Sequence, residues 1–292
     1  MSSTHHLLLL PHTPTNPKPL KSTTTITSTL LHHHHPHHHL FKSMQKDLKT
    51  HLHNSIPKTP PLEVTNPMHH LLSSAPTTMA PYVCLAASDL VGGRRDVALD
   101  VASALHLMHT AAWAHGRLIG LDLTTTLTYS PGVELLTGDG VFPLGFEIVA
   151  RNKEVEPEVG VKVVMEMVEM MGGIIEGQLG RVEGGVDKEL VWKERVEERL
   201  CGCGGACGVM VGGGGEEMVE KGRRVGMYLG AISEVVKSGK GLERVERLKM
   251  KVVEELEVFD FERRKSLWDL LEFCLNGQTV AGGGGISGQV EL

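Results

Sequence analysis

Hydrophobic positions recur along most of this chain at steps of three and four, the spacing of one face of an α-helix. Val97, Val101, Leu105, Met108 and Ala112 form one such stripe, and Asp96 just before it is its predicted N-cap. Val161, Val164, Met165, Val168 and Met171 form a second, predicted to stop at Gly172-Gly173. Leu267, Leu270, Leu271 and Cys274 form a third, ending at Asn276-Gly277. The valine-rich run at 155–164 also fits the two-residue alternation of a strand, but these segments exceed ten residues and strands rarely do. With no strand–helix–strand rhythm, the expected fold class is all-α. Glycines at 172–173, 184–185 and 212–215 are expected to separate helices. The last run lacks the Lys-Ser/Thr of a nucleotide-phosphate loop and follows a helical segment, so it reads as a helix breaker.

Composition adds a leader and a tail. Residues 1–40 are rich in Ser, Thr, His and Pro and contain no acid, a composition that cannot bury enough apolar surface to fold. Hydroxyl-rich, acid-poor leaders are typical of organelle transit peptides, and the missing Arg favours a plastid over a mitochondrion. The expected organisation is therefore a disordered transit peptide at 1–40, a helical domain at 41–276 and a flexible Gly-rich tail at 277–292. The His tract at 32–39 reads as low complexity with at most incidental metal affinity. The formal net charge of −6 is uneven: residues 1–62 carry +5 and the rest −11. An acidic body argues against broad nucleic-acid contact. No apolar run approaches the roughly 18 residues of a membrane span.

Five cysteines in 292 residues do not make a disulfide scaffold. Cys201, Cys203 and Cys207 cluster and leave three readings open. A zinc site would need a fourth ligand, such as Cys274, and ordinary Cys-x₂₋₄-Cys pairs. Buried thiols are the plain alternative. The third is an interface face: small, polarisable groups at i, i+4, flanked by Gly and Ala, which a partner helix can approach closely. His106 and His109 can share a helix face, while His115 falls elsewhere; core or surface positions suit them better than a metal site.

Several longer blocks occur in a telling order: "IPKTPPLEVTNPMHHLL" at 56–72, "PYVCLAASDLVGG" at 81–93, "ALHLMHTAAWAH" at 104–115, "ELLTGDGVFPLGFEIVA" at 134–150, "GGIIEGQLG" at 172–180 and "CGVMVGGG" at 207–214. Together they resemble the plant geranylgeranyl diphosphate synthases of the trans-prenyl diphosphate (polyprenyl) synthase family, over about residues 41–276. The resemblance implies an isoprenoid synthase-type helical bundle. In active members two aspartate-rich motifs hold Mg²⁺ against an allylic diphosphate, because Mg²⁺ binds through a few carboxylates plus substrate phosphates.

The departures from that pattern bear on function. Where the first motif should follow His115, the chain has Gly116, Arg117 and then the lone Asp122. The second motif aligns with Ser233, Glu234 and Lys237. The basic diphosphate grip becomes "APTTMAP" at 75–81, a Lys-Thr pair becomes Val196-Glu197, and of a Gln-x-x-Asp pattern Gln178 remains while Arg181 replaces the acid. The chain thus resembles the small, non-catalytic subunits of plant heteromeric geranyl(geranyl) diphosphate synthases. That resemblance implies no enzyme activity of its own and no cofactor, any Mg²⁺ being bound by the partner. It also implies a geranylgeranyl diphosphate synthase large subunit as partner, in a heterodimer or heterotetramer, and a shift of that partner's product toward geranyl diphosphate in the chloroplast stroma. Small subunits carry two Cys-x-x-x-Cys motifs implicated in subunit binding. Cys203 and Cys207 match the second, and Cys84 with Ser88 the first in altered form. These four are the expected partner-interface residues. The alternatives are a degenerate paralogue with another partner, or a weakly active prenyltransferase.

Overall fold

Ten helices and no strands make up the described part of the chain, residues 36–56, 62–119, 127–182, 186–239 and 241–276 of a computed structural model. They are α1 (Pro36–Ser55), α2 (Leu62–Ser74), α3 (Ala80–Leu90), α4 (Arg95–Ile119), α5 (Pro131–Arg151), α6 (Pro157–Val182), α7 (Val186–Val211), α8 (Glu216–Ser238), α9 (Leu242–Leu256) and α10 (Phe261–Leu275). The all-α expectation holds. The leader up to residue 35 and the tail after 276 lie outside the described residues. Helix α1 already begins at Pro36, inside the span assigned to the leader, because Phe41, Met44, Leu48 and Leu52 pack into the core.

Local chemistry sets the boundaries. Ser130 caps α5, its hydroxyl accepting from the Val133 N–H, with Pro131 at the first helical position. Asp260 caps α10 by accepting from the Arg263 N–H at 2.9 Å. Gly239 ends α8 with φ of 65°. The glycine run 212–215 separates α7 from α8 as predicted. Two predicted boundaries move. Asp96 is not the cap of α4, since the Arg94 carbonyl already accepts from the Ala98 N–H; Asp96 pairs with the Arg94 guanidinium instead. Gly172-Gly173 does not end α6, which continues to Val182 with the Arg199 side chain lying against Gly173.

Helix α4 is central, packed by α1, α2, α3, α5, α6 and α7, and its predicted stripe is buried throughout. Helix α7 forms the second axis, between α3, α6 and α8. Its close neighbours need small residues: a Cβ at Gly204 would stand 2.5 Å from the Ala80 carbonyl oxygen of α3, and the Cβ of an alanine at position 230 of α8 would stand 2.6 Å from the Glu197 carbonyl oxygen. No described helix is long and apolar enough to cross a membrane.

Candidate docking face and inner crevice

The second predicted stripe is split: Met171 and the half-buried Val164 pack on the core, whereas Val161, Met165 and Val168 do not. Val163, Met167, Met170, Met171 and Ile174 face the core, whereas Val161, Met165, Val168, Ile175 and Leu179 are exposed, between 48% and 63%. These residues, with Gly172 between them, follow steps of three and four and so share one face of α6. At 1.5 Å per residue the stripe is about 27 Å long. Leu135 and Leu136, in the first turns of α5, are exposed as well. A monomer seldom leaves so long an apolar row in water, and contiguous exposed patches mark interaction sites. The sequence contains this stripe as plainly as its buried counterpart; periodicity alone could not say which would turn inward.

The four residues expected to meet a partner lie elsewhere. Cys84, Ser88, Cys203 and Cys207 are at most 2% exposed, on the contact of α3 with α7 inside one chain. Their small size lets two helices of the same chain close together, with Gly204 and Gly208 against the backbone of Ala80 and Cys84. In this conformation a partner cannot touch them. The Cys203 and Cys207 sulfurs are 3.8 Å apart, and the Cys84 thiol lies 4.0 Å from the Ala98 carbonyl oxygen. Burial pushes the Cys84 and Cys201 thiols well above their ordinary range and Cys274 up to about 12, while the Cys207 contact and burial do the same for Cys203. Such thiols are unreactive. Among the described residues no group of three His, Cys, Asp or Glu side chains is placed to hold a metal.

Around the positions aligned with the first acidic motif, His115 and Arg117 of α4 meet acids of α5. Arg117 bonds Glu134 of α5, which is 3% exposed, and its guanidinium also lies 4.5 Å from the Trp113 ring centroid. His115 meets Asp139 at 3.1 Å. Gln178 donates to the Ala112 carbonyl at 2.7 Å, fastening α6 to α4. Asp122 and Arg181 cannot be placed: Asp122 and the Arg181 side chain lie outside what is described.

At Glu197, of the altered Lys-Thr pair, and at the positions aligned with the second motif, the carboxylates are held by the chain's own groups. Glu197 of α7, 6% exposed, accepts from the Met79 N–H at 2.6 Å and the Thr78 hydroxyl at 3.0 Å. Lys237 of α8 donates to Glu234 at 2.6 Å. Burial raises the pKa of Glu197, and Lys237 partly offsets it. Burial also works against the Lys237 charge, but Glu197 and Glu234 beside it hold the ammonium above its ordinary range. Two histidines of α4 sit nearby. Burial lowers His106 to about 4 and His109 to about 3, the latter helped by His106 and Lys237. The Glu197 network left no periodic signal in the sequence, because its members come from α7, α8 and the Thr78–Met79 segment before α3. A separate groove between α6, α7 and α8 is lined by Glu166, Glu169, Glu198, Arg195, Arg199 and Arg223 together with the apolar Met170, Cys203 and Met227.

Comparison with known proteins agrees with this geometry. The chain is 35% identical over 257 residues to the chloroplastic heterodimeric geranylgeranyl pyrophosphate synthase small subunit 2 of Cannabis sativa, covering 79% of this chain and 90% of that one. The solved small subunit of geranyl diphosphate synthase from Antirrhinum majus superposes with a TM-score of 0.73 at 32% identity, over 81% of this chain and 99% of that one. A chain of a heterotetrameric geranyl pyrophosphate synthase deletion mutant from mint gives 0.70 at 34% identity, over 79% and 98%. No protein-family model matches the chain.

Proposed function

Since this chain belongs to the small subunits of heteromeric geranyl and geranylgeranyl diphosphate synthases, in the trans-prenyl diphosphate synthase family, we propose that it is a regulatory subunit in the chloroplast. It binds a catalytic geranylgeranyl diphosphate synthase and shifts that partner's product toward geranyl diphosphate. The observation that carries this reading is the exposed apolar stripe of α6, which needs a partner of matching shape. A synthase built of the same long helices offers one. Docking on this face would displace helices around the partner's elongation cavity and favour early product release.

The same reading makes the chain inactive alone. The acids around the positions of the lost motifs are engaged by the chain's own groups and not free to share Mg²⁺: Glu134 by Arg117, Asp139 by His115, Glu234 by Lys237 and Glu197 by Thr78 and the Met79 N–H. Metal stabilisation of a leaving diphosphate contributes several kcal/mol, and each ~1.4 kcal/mol is about tenfold in rate. Losing both acidic motifs and the basic grip therefore removes many decades of prenyl transfer. The test is co-expression with a plastid geranylgeranyl diphosphate synthase followed by product analysis. The C10:C20 ratio should rise while the chain alone gives no product with Mg²⁺. An unchanged ratio and total rate would sink the proposal.

A further inference from the structure

The apolar row on α6 is interrupted at Gly172-Gly173, and a cation lies beside the gap. Gly172 is exposed in line with the row, and a Cβ on it would meet nothing within 4 Å. Gly173 points about 100° to one side of it, toward the groove between α6, α7 and α8. The Arg199 side chain of α7 lies on Gly173, where a Cβ would collide with its guanidinium. Arg199 thus stands on the border of the exposed apolar face. Other charges of the groove are bonded: Arg223 to Glu166 and Glu220, and Glu198 to Arg244 of α9 at 3.2 Å. Arg195, Arg199 and Glu169 of the same lining make no hydrogen bond or ion pair among the described residues. Two arginines against one acid leave a surplus positive charge, and of the two only Arg199 is seated on the glycine pair.

In the lone chain Arg199 is exposed and hydrated. Once a helix covers α6, water leaves the rim, and a guanidinium without an acceptor would oppose docking by its desolvation. A carboxylate restores the balance through two parallel N–H···O bonds, a geometry that Arg offers and Lys does not. We propose that Arg199 is the specificity point of the docking face: the synthase helix that covers α6 carries an Asp or Glu beside its apolar seam, and that carboxylate enters the Gly172 gap and pairs with Arg199. The inference rests on the function proposed above, in which α6 meets the synthase. It gives each glycine a role inside a continuous helix: Gly172 leaves the gap open, and Gly173 is the bed of the guanidinium.

The test measures binding of the full chain to a plastid geranylgeranyl diphosphate synthase by calorimetry. Arg199→Gln should weaken binding by about tenfold or more. Lys265→Gln, which removes the same charge from an exposed position on α10, should change it less than about twofold. Gly173→Ala keeps every charge but pushes the guanidinium off its bed, and should weaken binding by about threefold or more. In the Arg199→Gln background that alanine should add less than about twofold, because the group it displaces is gone. In the complex formed with Arg199→Lys, a carbodiimide should join position 199 through an amide to an Asp or Glu of the synthase, located by peptide mass spectrometry. Unchanged binding by Arg199→Gln, an equal loss from Lys265→Gln, an alanine effect that is the same in both backgrounds, or no amide from position 199 to the synthase would each overturn the inference. If the wild type binds while these outcomes fail, the subunit function stands without this contact; if the wild type does not bind, both fall.

Discussion

Gly204 of α7 and Ala80 of α3 meet backbone to backbone, with a Cβ on the glycine placed 2.5 Å from the alanine carbonyl oxygen. Neither backbone can yield, because Glu197 one helical stretch earlier is hydrogen-bonded to Met79 at the start of α3. In an open helix Gly→Ala gains about 1 kcal/mol, but overpacking costs typically ~1–3 kcal/mol and backbone contacts lie at the upper end. Gly204→Ala is therefore expected to destabilise by about 1–2 kcal/mol net in urea denaturation. Gly160→Ala in α6, where a Cβ meets nothing within 4 Å, should stabilise by about 0.5–1 kcal/mol.

Those two glycines look alike in sequence, which marks the limit of pattern reading. The stripe Val97–Ala112 on α4 was legible because one face is apolar and the opposite face carries Asp96, Asp100 and His106. On α6 both faces are apolar, so Val161, Met165 and Val168 and the truly buried Val163, Met167 and Met170 compete as core candidates. Which stripe turns inward is decided by the neighbours of α6, notably the Gln178 bond to Ala112 and the Arg199 side chain on Gly173. For the same reason Gly172-Gly173 reads as a stop but is carried through by packing. The Cys-x-x-x-Cys spacing reads as a face for a partner helix, whereas the helix packed against Cys203 and Cys207 is α3 of the same chain. The missing acidic motifs were legible residue by residue. The counter-charges Arg117 and Lys237 were visible as substitutions, and only the structure shows what they neutralise.

Arg117 and Glu134 test whether that neutralisation holds the domain together. Glu134 is 3% exposed; Arg117 bonds its Oε2, and its Oε1 has no hydrogen-bond partner. Removing the cation of such a pair leaves a buried charge, typically a loss of about 3–5 kcal/mol, while replacing both partners by neutral groups is far milder. Arg117→Met should cost about 3 kcal/mol; its guanidinium is partly exposed, which places it at the low end. Adding Glu134→Gln should restore more than half. Equal stability of the single and double variants, measured by urea denaturation, would show that the pair is not the cause.

His106 and His109 make stability depend on acid. Their folded pKa values, about 4 and about 3, lie below the ordinary 6.5 because burial penalises the charged ring. Below about pH 6.5 the unfolded chain takes up protons that the folded chain refuses, so stability falls as pH drops toward the folded values. Each histidine removes up to about 1.4 kcal/mol per pH unit in that window. Glu197, its pKa raised by burial, acts in the opposite direction, so the histidine contribution is read as a difference between variants. His109→Met should lose less Tm than wild type between pH 7 and pH 5. Identical slopes would mean that His109 accepts a proton in the folded chain.

The outward stripe of α6 separates folding from assembly. Met165 and Leu179 are 63% and 60% exposed, so Met165→Glu and Leu179→Glu should change the stability of the isolated chain by no more than about 0.5 kcal/mol. At the centre of a desolvated interface the same carboxylates would be buried without a partner, and central positions typically cost ~2 kcal/mol or more, roughly thirtyfold in Kd. Binding to a geranylgeranyl diphosphate synthase, measured by calorimetry or co-elution, should weaken by at least that factor, and the double variant should lose the product shift. Met250→Glu, equally exposed at 64% but on α9, which packs on α8 away from α6, should leave binding unchanged. If all three variants bind as wild type does, the partner docks on another face. A comparable loss from Met250→Glu would instead show that added negative charge anywhere on this acidic chain repels the synthase.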